Sequence, residues 1–176
     1  MTLALADPAP RYAVPLRVKD AALYRQVTTW AKATAGGVLE TTGPLAGIAW
    51  DQKAWHAVYD DGTRTCCVAG ATVLLAGGVF GHEVATCARP GHQYKACLIP
   101  GTTWMEDMPV AASMLLGIDP GESWTVFAPN RTLEQLLAMV PAFETNTPVD
   151  AGMLAPSVTT LSAARKSLAA LRGTRR

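Results

Sequence analysis

The chain of 176 residues is 49% hydrophobic and only 16% charged, with a formal net charge of +1. That balance excludes a disordered chain, which is charge-rich and poor in large apolar groups, and the length suits one domain with a substantial core. With so small a net charge no global field draws the protein to nucleic acid or to a membrane surface, so any such binding requires a local basic patch.

Residues 1–19 predict an extended arm. Pro8, Pro10 and Pro15 forbid a helix, while Tyr12, Val14, Leu16 and Val18 alternate as in a short edge strand. Asp20 is placed to cap a first helix over 21–35, with Leu23, Val27, Trp30 and Thr34 on one face and Gly36-Gly37 as its stop. A Gly/Thr/Pro-rich connection leads to Trp50-Asp51-Gln52-Lys53-Ala54-Trp55, which reads as a helical turn with Asp51 as its cap. Asp60-Asp61-Gly62-Thr63 is a turn. Thr65 to Ala76 then predicts a helix that is apolar all round and therefore buried, in which Gly70 permits close approach of a neighbour.

Val84–Ala88 and Tyr94–Leu98 flank Arg89-Pro90-Gly91-His92 and read as a hairpin. Asp107 caps a helix at 108–116 that Gly117 closes. Asp119-Pro120-Gly121-Glu122 and Thr132-Leu133-Glu134-Gln135 are capping boxes, opening helices to Phe127 and to about Val140. Pro141 and Pro148 bracket a loose loop, and Ser157 to Leu171 is amphipathic, with Leu161, Ala164, Leu168 and Leu171 facing one way. The elements predict a mainly α, α+β fold: a compact helical domain with a small β-hairpin, joined by an N-terminal edge strand. The domain covers residues 1–145, and 146–176 form a linker and a C-terminal basic helix.

No apolar run reaches the roughly 18–20 residues that a bilayer crossing demands. The N-terminus lacks a basic region and carries Asp7, so no signal peptide is expected. The expected location is cytoplasmic, where the four cysteines remain free thiols.

Trp50-Asp51-Gln52-x-x-Trp55, followed by Gly62-Thr63-x-x-Cys66-x-x-Ala69-Gly70 and a helix ending Leu75-x-Gly77, resembles a group of small proteins from actinobacteriophages and actinobacteria. Later motifs of that group are matched by Ala112-Ser113-Met114-Leu115-Leu116-Gly117 and Val126-Phe127-Ala128-Pro129-Asn130. The likeness covers roughly residues 50–140. Where the group commonly has a cysteine before Gly-Thr, this chain has Asp61. The resemblance implies a phage or actinobacterial origin and a cytoplasmic location, and it does not point to an activity.

Four residues are placed to draw a metal: His82, Cys87, His92 and Cys97. Imidazole and thiolate are the ligands zinc prefers. Residues five apart on a strand point to opposite faces, however, so the four do not converge without a bulge. Exposed histidines and small buried cysteines are the simpler reading, and no cofactor is expected. Cys66 and Cys67 sit near a helix N-terminus, where a thiol with His56 or His82 as base would be a nucleophile. In an apolar helix, cysteine more simply acts as a small hydrophobe. The acidic residues Asp51, Asp60 and Asp61, with Glu106 and Asp107 further on, are of the type that serves glycosidase chemistry or binds a hard cation, but isolated turn and cap residues are the simpler reading. The glycine-rich stretches lack the spacing of a phosphate loop or a dinucleotide fingerprint. Arg165, Lys166 and Arg172 make the last helix basic, a feature of DNA-binding or membrane-surface helices and also of ordinary solvated ones.

The leading expectation is a non-enzymatic interaction protein that binds a host protein or itself, with a homo-oligomer as one form. Five tryptophans exceed the needs of a minimal core. Trp104, Trp50 and Trp55, with Arg165, Lys166 and Arg172, are the expected partner-binding residues, since tryptophan is a frequent hot spot. Two alternatives stand beside it. One is a zinc- or thiol-dependent enzyme or sensor using Cys66, His82, Cys87, His92 and Cys97. The other is a nucleic-acid-binding regulator acting through the C-terminal helix.

Overall fold

The computed structural model describes residues 17–81, 96–103 and 105–149. The expected N-terminal strand, the first hairpin strand at 84–88 and the C-terminal basic helix lie outside the described residues. Within them the fold is α+β, and "mainly helical" understates its strands: two three-stranded sheets accompany the helices.

Helix α1 (Ala21–Ala35) begins where the Asp20 carboxylate accepts the Leu23 N–H at 2.8 Å. Its buried face is wider than the predicted stripe, adding Tyr24, Thr28 and Ala31 to Val27, Trp30 and Thr34. The two buried hydroxyls are satisfied locally, Thr28 donating to the Tyr24 carbonyl and Thr34 to that of Trp30. Thr34 also accepts the Trp50 N–H at 3.2 Å, which ties the end of α1 to the first strand.

Strands β1 (Ile48–Trp50), β2 (His56–Val58) and β3 (Arg64–Cys66) form a sheet in the order β1-β3-β2, with β1 parallel and β2 antiparallel to β3. The segment read as a helical turn at 50–55 is instead the end of β1 and a turn, because both flanks are zipped to β3. Asp51 still does the local work expected of a cap: its carboxylate accepts the Lys53 N–H at 3.0 Å. The Asp60–Thr63 turn joins β2 to β3 as expected. There the Asp61 carboxylate accepts the Thr63 N–H at 2.8 Å, and that bond holds its carboxyl below the usual range.

Helix α2 (Val68–Leu75) is shorter than predicted. Thr65 and Cys66 belong to β3, and Cys67 is the N-cap. A run that is apolar on every side has no periodicity to separate strand from helix. Tertiary partners set the boundary: the Cys67 N–H donates to the Ala54 carbonyl at 2.6 Å, and the Val68 N–H to the Gln52 side chain at 3.3 Å. Val68 to Leu74 are all buried, and α2 packs between α1 and α3 (Met108–Leu116) as the central helix.

Strands β4 (Val79–Phe80), β5 (Ala96–Leu98) and β6 (Met105–Asp107) form an antiparallel meander. The predicted strand at 94–98 supplies β5, whose observed partners are β4 and β6.

Helix α3 starts after Asp107 and ends at Gly117, which adopts φ +66°. Helix α4 (Pro120–Phe127) opens with the complete Asp119/Glu122 capping box. Helix α5 (Leu133–Ala138) opens with the Thr132/Gln135 box. The helix expected to reach Val140 breaks at Met139, and α6 (Val140–Glu144) follows with Pro141 in its first turn, where a missing N–H is harmless. The loop expected after Pro141 is therefore helical. Tyr24 stacks on Phe143 with ring centroids 3.8 Å apart, and its hydroxyl donates to the Leu136 carbonyl at 2.9 Å. Residues 144–148 are exposed, and Val149 is buried again.

Candidate partner-binding groove

The tryptophans expected at an interface divide. Trp50 and Trp55 are partly buried and pack against the core. The Trp50 indole N–H donates to Gln52 at 3.3 Å. Gln52 is itself buried: its oxygen also accepts the Val68 N–H, and its amide nitrogen donates to the Ala128 carbonyl, each at 3.3 Å. The Trp55 carbonyl lies against Gly70. Residues of the sequence motifs thus hold one another across β1, β2 and α2. Trp104, Arg165, Lys166 and Arg172 lie outside the described residues, as do His82, Cys87 and His92.

Cys97, the one described member of the zinc quartet, is buried on β5. Burial and the nearby Glu106 and Asp107 carboxylates push its thiol up to about 11. Among the described residues no group of three or more His, Cys, Asp or Glu side chains is arranged to hold a metal ion.

His56 and Cys66 are paired across β2 and β3, so the sheet register brings the expected base beside the expected nucleophile. Both side chains have no exposed surface, and His56 stacks on Phe80 with ring centroids 4.1 Å apart. Burial raises the Cys66 thiol well above its ordinary value and the Cys67 thiol to about 11. A protonated thiol sealed from solvent is neither a nucleophile nor within reach of a substrate.

The open surface lies elsewhere. A groove of about 770 Å³ runs between α3 and the first turn of α4. Pro109, Val110 and Met114 form one wall, Ile118 lies at its base, and Lys19 and Pro148 border it. Helix α3 carries no charged residue along its length. Its inner side, Met108, Ala111, Ala112 and Leu116, fills the core, while Val110 and Met114 remain 45% and 39% exposed. An apolar helix covered on one side only leaves hydrophobic surface for a second element. On α4, Trp124 is 69% exposed.

One ion pair frames the groove. The Lys19 ammonium lies 3.0 Å from the Glu122 carboxylate, and their side chains are only 7% and 14% exposed. Glu122 also accepts the Asp119 N–H of its capping box at 3.1 Å and the Val149 N–H at 2.5 Å. Lys19 in turn donates its backbone N–H to the Asn146 side chain at 3.0 Å. The chain entering α1 and the chain leaving α6 are both fastened here.

Comparison with protein-family models, with curated proteins and with solved structures finds no match. The groove's residues therefore carry the functional argument by themselves. Sequence reasoning missed them, although α3 held a signal: Val110 and Met114 are four apart, on the side away from Ala111 and Ala112. Glu122 was legible as a cap residue, but its partner Lys19 lies 103 positions away and is beyond local inspection.

Proposed function

We propose that this protein acts by binding a protein partner, without catalysis, through the apolar groove between α3 and α4. The observation that supports the reading most directly is a groove of about 770 Å³ flanked by exposed Val110 and Met114. Concave, mostly apolar surface with a few polar groups at its edge is the usual form of a recognition site. Trp124, 69% exposed on α4, offers a large amphipathic side chain of the kind that anchors interfaces. The partner class is an apolar segment of a host protein or of a second copy, in a cytoplasmic setting that suits free thiols. No helix among the described residues is long and apolar enough to cross a membrane.

The test compares the wild type with a Val110→Glu/Met114→Glu variant. Sedimentation velocity over a range of concentrations reads self-association, and affinity capture from host extract reads hetero-association. The reading requires at least one interaction that the variant loses while its thermal melt stays unchanged. Interactions that are identical in both proteins overturn it.

A further inference from the structure

We infer that the groove is occupied in the free protein by the chain's own segment 157–171, so that a partner binds by displacing it. The inference rests on the proposed function above and supplies its regulation. The placement of the chain favours this occupant. Pro148 borders the groove, and the Val149 N–H is held by Glu122 in the groove wall. Asp150 to Pro156 is a connector of seven residues, which reaches up to roughly 25 Å when extended. The segment therefore departs from the groove's own rim with enough chain to turn back upon it. Tethering at this distance gives it an effective concentration that a free partner does not have.

The chemistry of the two surfaces agrees. Leu161, Ala164, Leu168 and Leu171 recur at helical spacing and form an apolar stripe. On α3, Val110 and Met114 form an exposed ridge, and Ser113 and Gly117, also four apart, give a shallower row beside it. Rows of residues three or four apart on each helix are what interdigitate when helices pack. The N-terminal arm is the poorer occupant. Arg17 and Lys19 line the groove, while Val18 between them is 77% exposed. Tyr12, Val14 and Leu16 share the sequence parity of Val18, which in an extended chain is the side opposite Arg17 and Lys19.

The experiment uses the full-length chain carrying Met114→Cys with Leu168→Cys, and a control pair, Met114→Cys with Lys166→Cys. Lys166 is two residues from Leu168 and so on the other side of a helix. Met114 is 39% exposed, so its replacement by cysteine leaves the core in place. Mild oxidation followed by peptide mass spectrometry reads which thiols join. The expected result is an intrachain disulfide between positions 114 and 168, with a yield roughly tenfold above the control pair. Equal yields from the two pairs, or no such disulfide, overturn the inference. A disulfide that forms only between two chains overturns it as well, and identifies a second copy as the occupant, leaving the groove's binding role standing. Loss of that binding role would appear separately, as indifference of every interaction to Val110→Glu/Met114→Glu.

Discussion

The carbonyl oxygen of Trp55 lies where a side chain on Gly70 would begin: a Cβ built there would sit 2.1 Å from it. The contact brings the backbone before β2 down onto α2 and explains why a glycine stands in a buried helix despite its propensity cost of about 1 kcal/mol. Gly70→Ala is therefore expected to force the two backbones apart. Overpacking of this kind costs about 1–3 kcal/mol, and more where backbone is the obstacle. Urea unfolding at neutral pH measures it, and a variant as stable as the wild type would contradict the contact.

Gln52 satisfies three partners from a buried position: the Trp50 indole, the Val68 N–H and the Ala128 carbonyl. Gln52→Leu keeps the volume and removes both acceptor and donor. Leaving buried groups unpartnered costs about 1–3 kcal/mol each, so a total loss near 3 kcal/mol is expected. Gln52→Glu is expected to be no better, because it replaces the donor to Ala128 with a buried charge.

The Lys19–Glu122 pair gives a graded test. Glu122→Ala strands a nearly buried ammonium and frees the Asp119 and Val149 N–H groups. The expected loss is about 3 kcal/mol, the scale for breaking a buried pair by removing one partner. Glu122→Gln retains an oxygen acceptor for the capping box and is expected to lose roughly half as much. Denaturant midpoints of the two variants rank them, and equal losses would show that charge, not the cap, dominates.

Buried thiols make stability fall at alkaline pH. Burial raises Cys67 and Cys97 from an ordinary 9.0 to about 11, and raises Cys66 and Tyr24 in the same direction. The folded state thus holds protons that the unfolded chain releases sooner. The contribution is fully present below pH 9 and is lost as pH rises toward 11. Unfolding midpoints at pH 8, 9.5 and 10.5 are expected to decline, with a smaller decline in a Cys67→Ala variant. At pH 8 a maleimide is expected to leave Cys66 and Cys67 unlabelled in the folded protein and to label them in guanidinium.

Trp124 separates binding from stability. Its exposed side chain on α4 makes Trp124→Ala neutral within about 0.5 kcal/mol by thermal melt. If a partner covers it, affinity is expected to weaken about 30-fold, the loss of a hot spot worth about 2 kcal/mol.

Taken alone, the sequence determined the features whose partners lie within one helical turn. Asp20 before α1, the Asp119/Glu122 and Thr132/Gln135 boxes, the Asp60–Thr63 turn and the stop at Gly117 all appear where side-chain chemistry places them. The buried nature of the 65–76 run was legible too, since a helix with no polar side has no solvent-facing option. Tertiary structure alone decided where that run divides into β3 and α2, because the bonds that start α2 come from Gln52 and Ala54 in a distant turn. It also decided that Trp50 and Trp55 serve the core while Trp124 meets solvent, and that Lys19 meets Glu122. Composition counts apolar side chains but does not say which face finds a neighbour. That assignment depends on contacts between elements far apart in the chain, and the uncovered side of α3 exists only once α2 has taken the other.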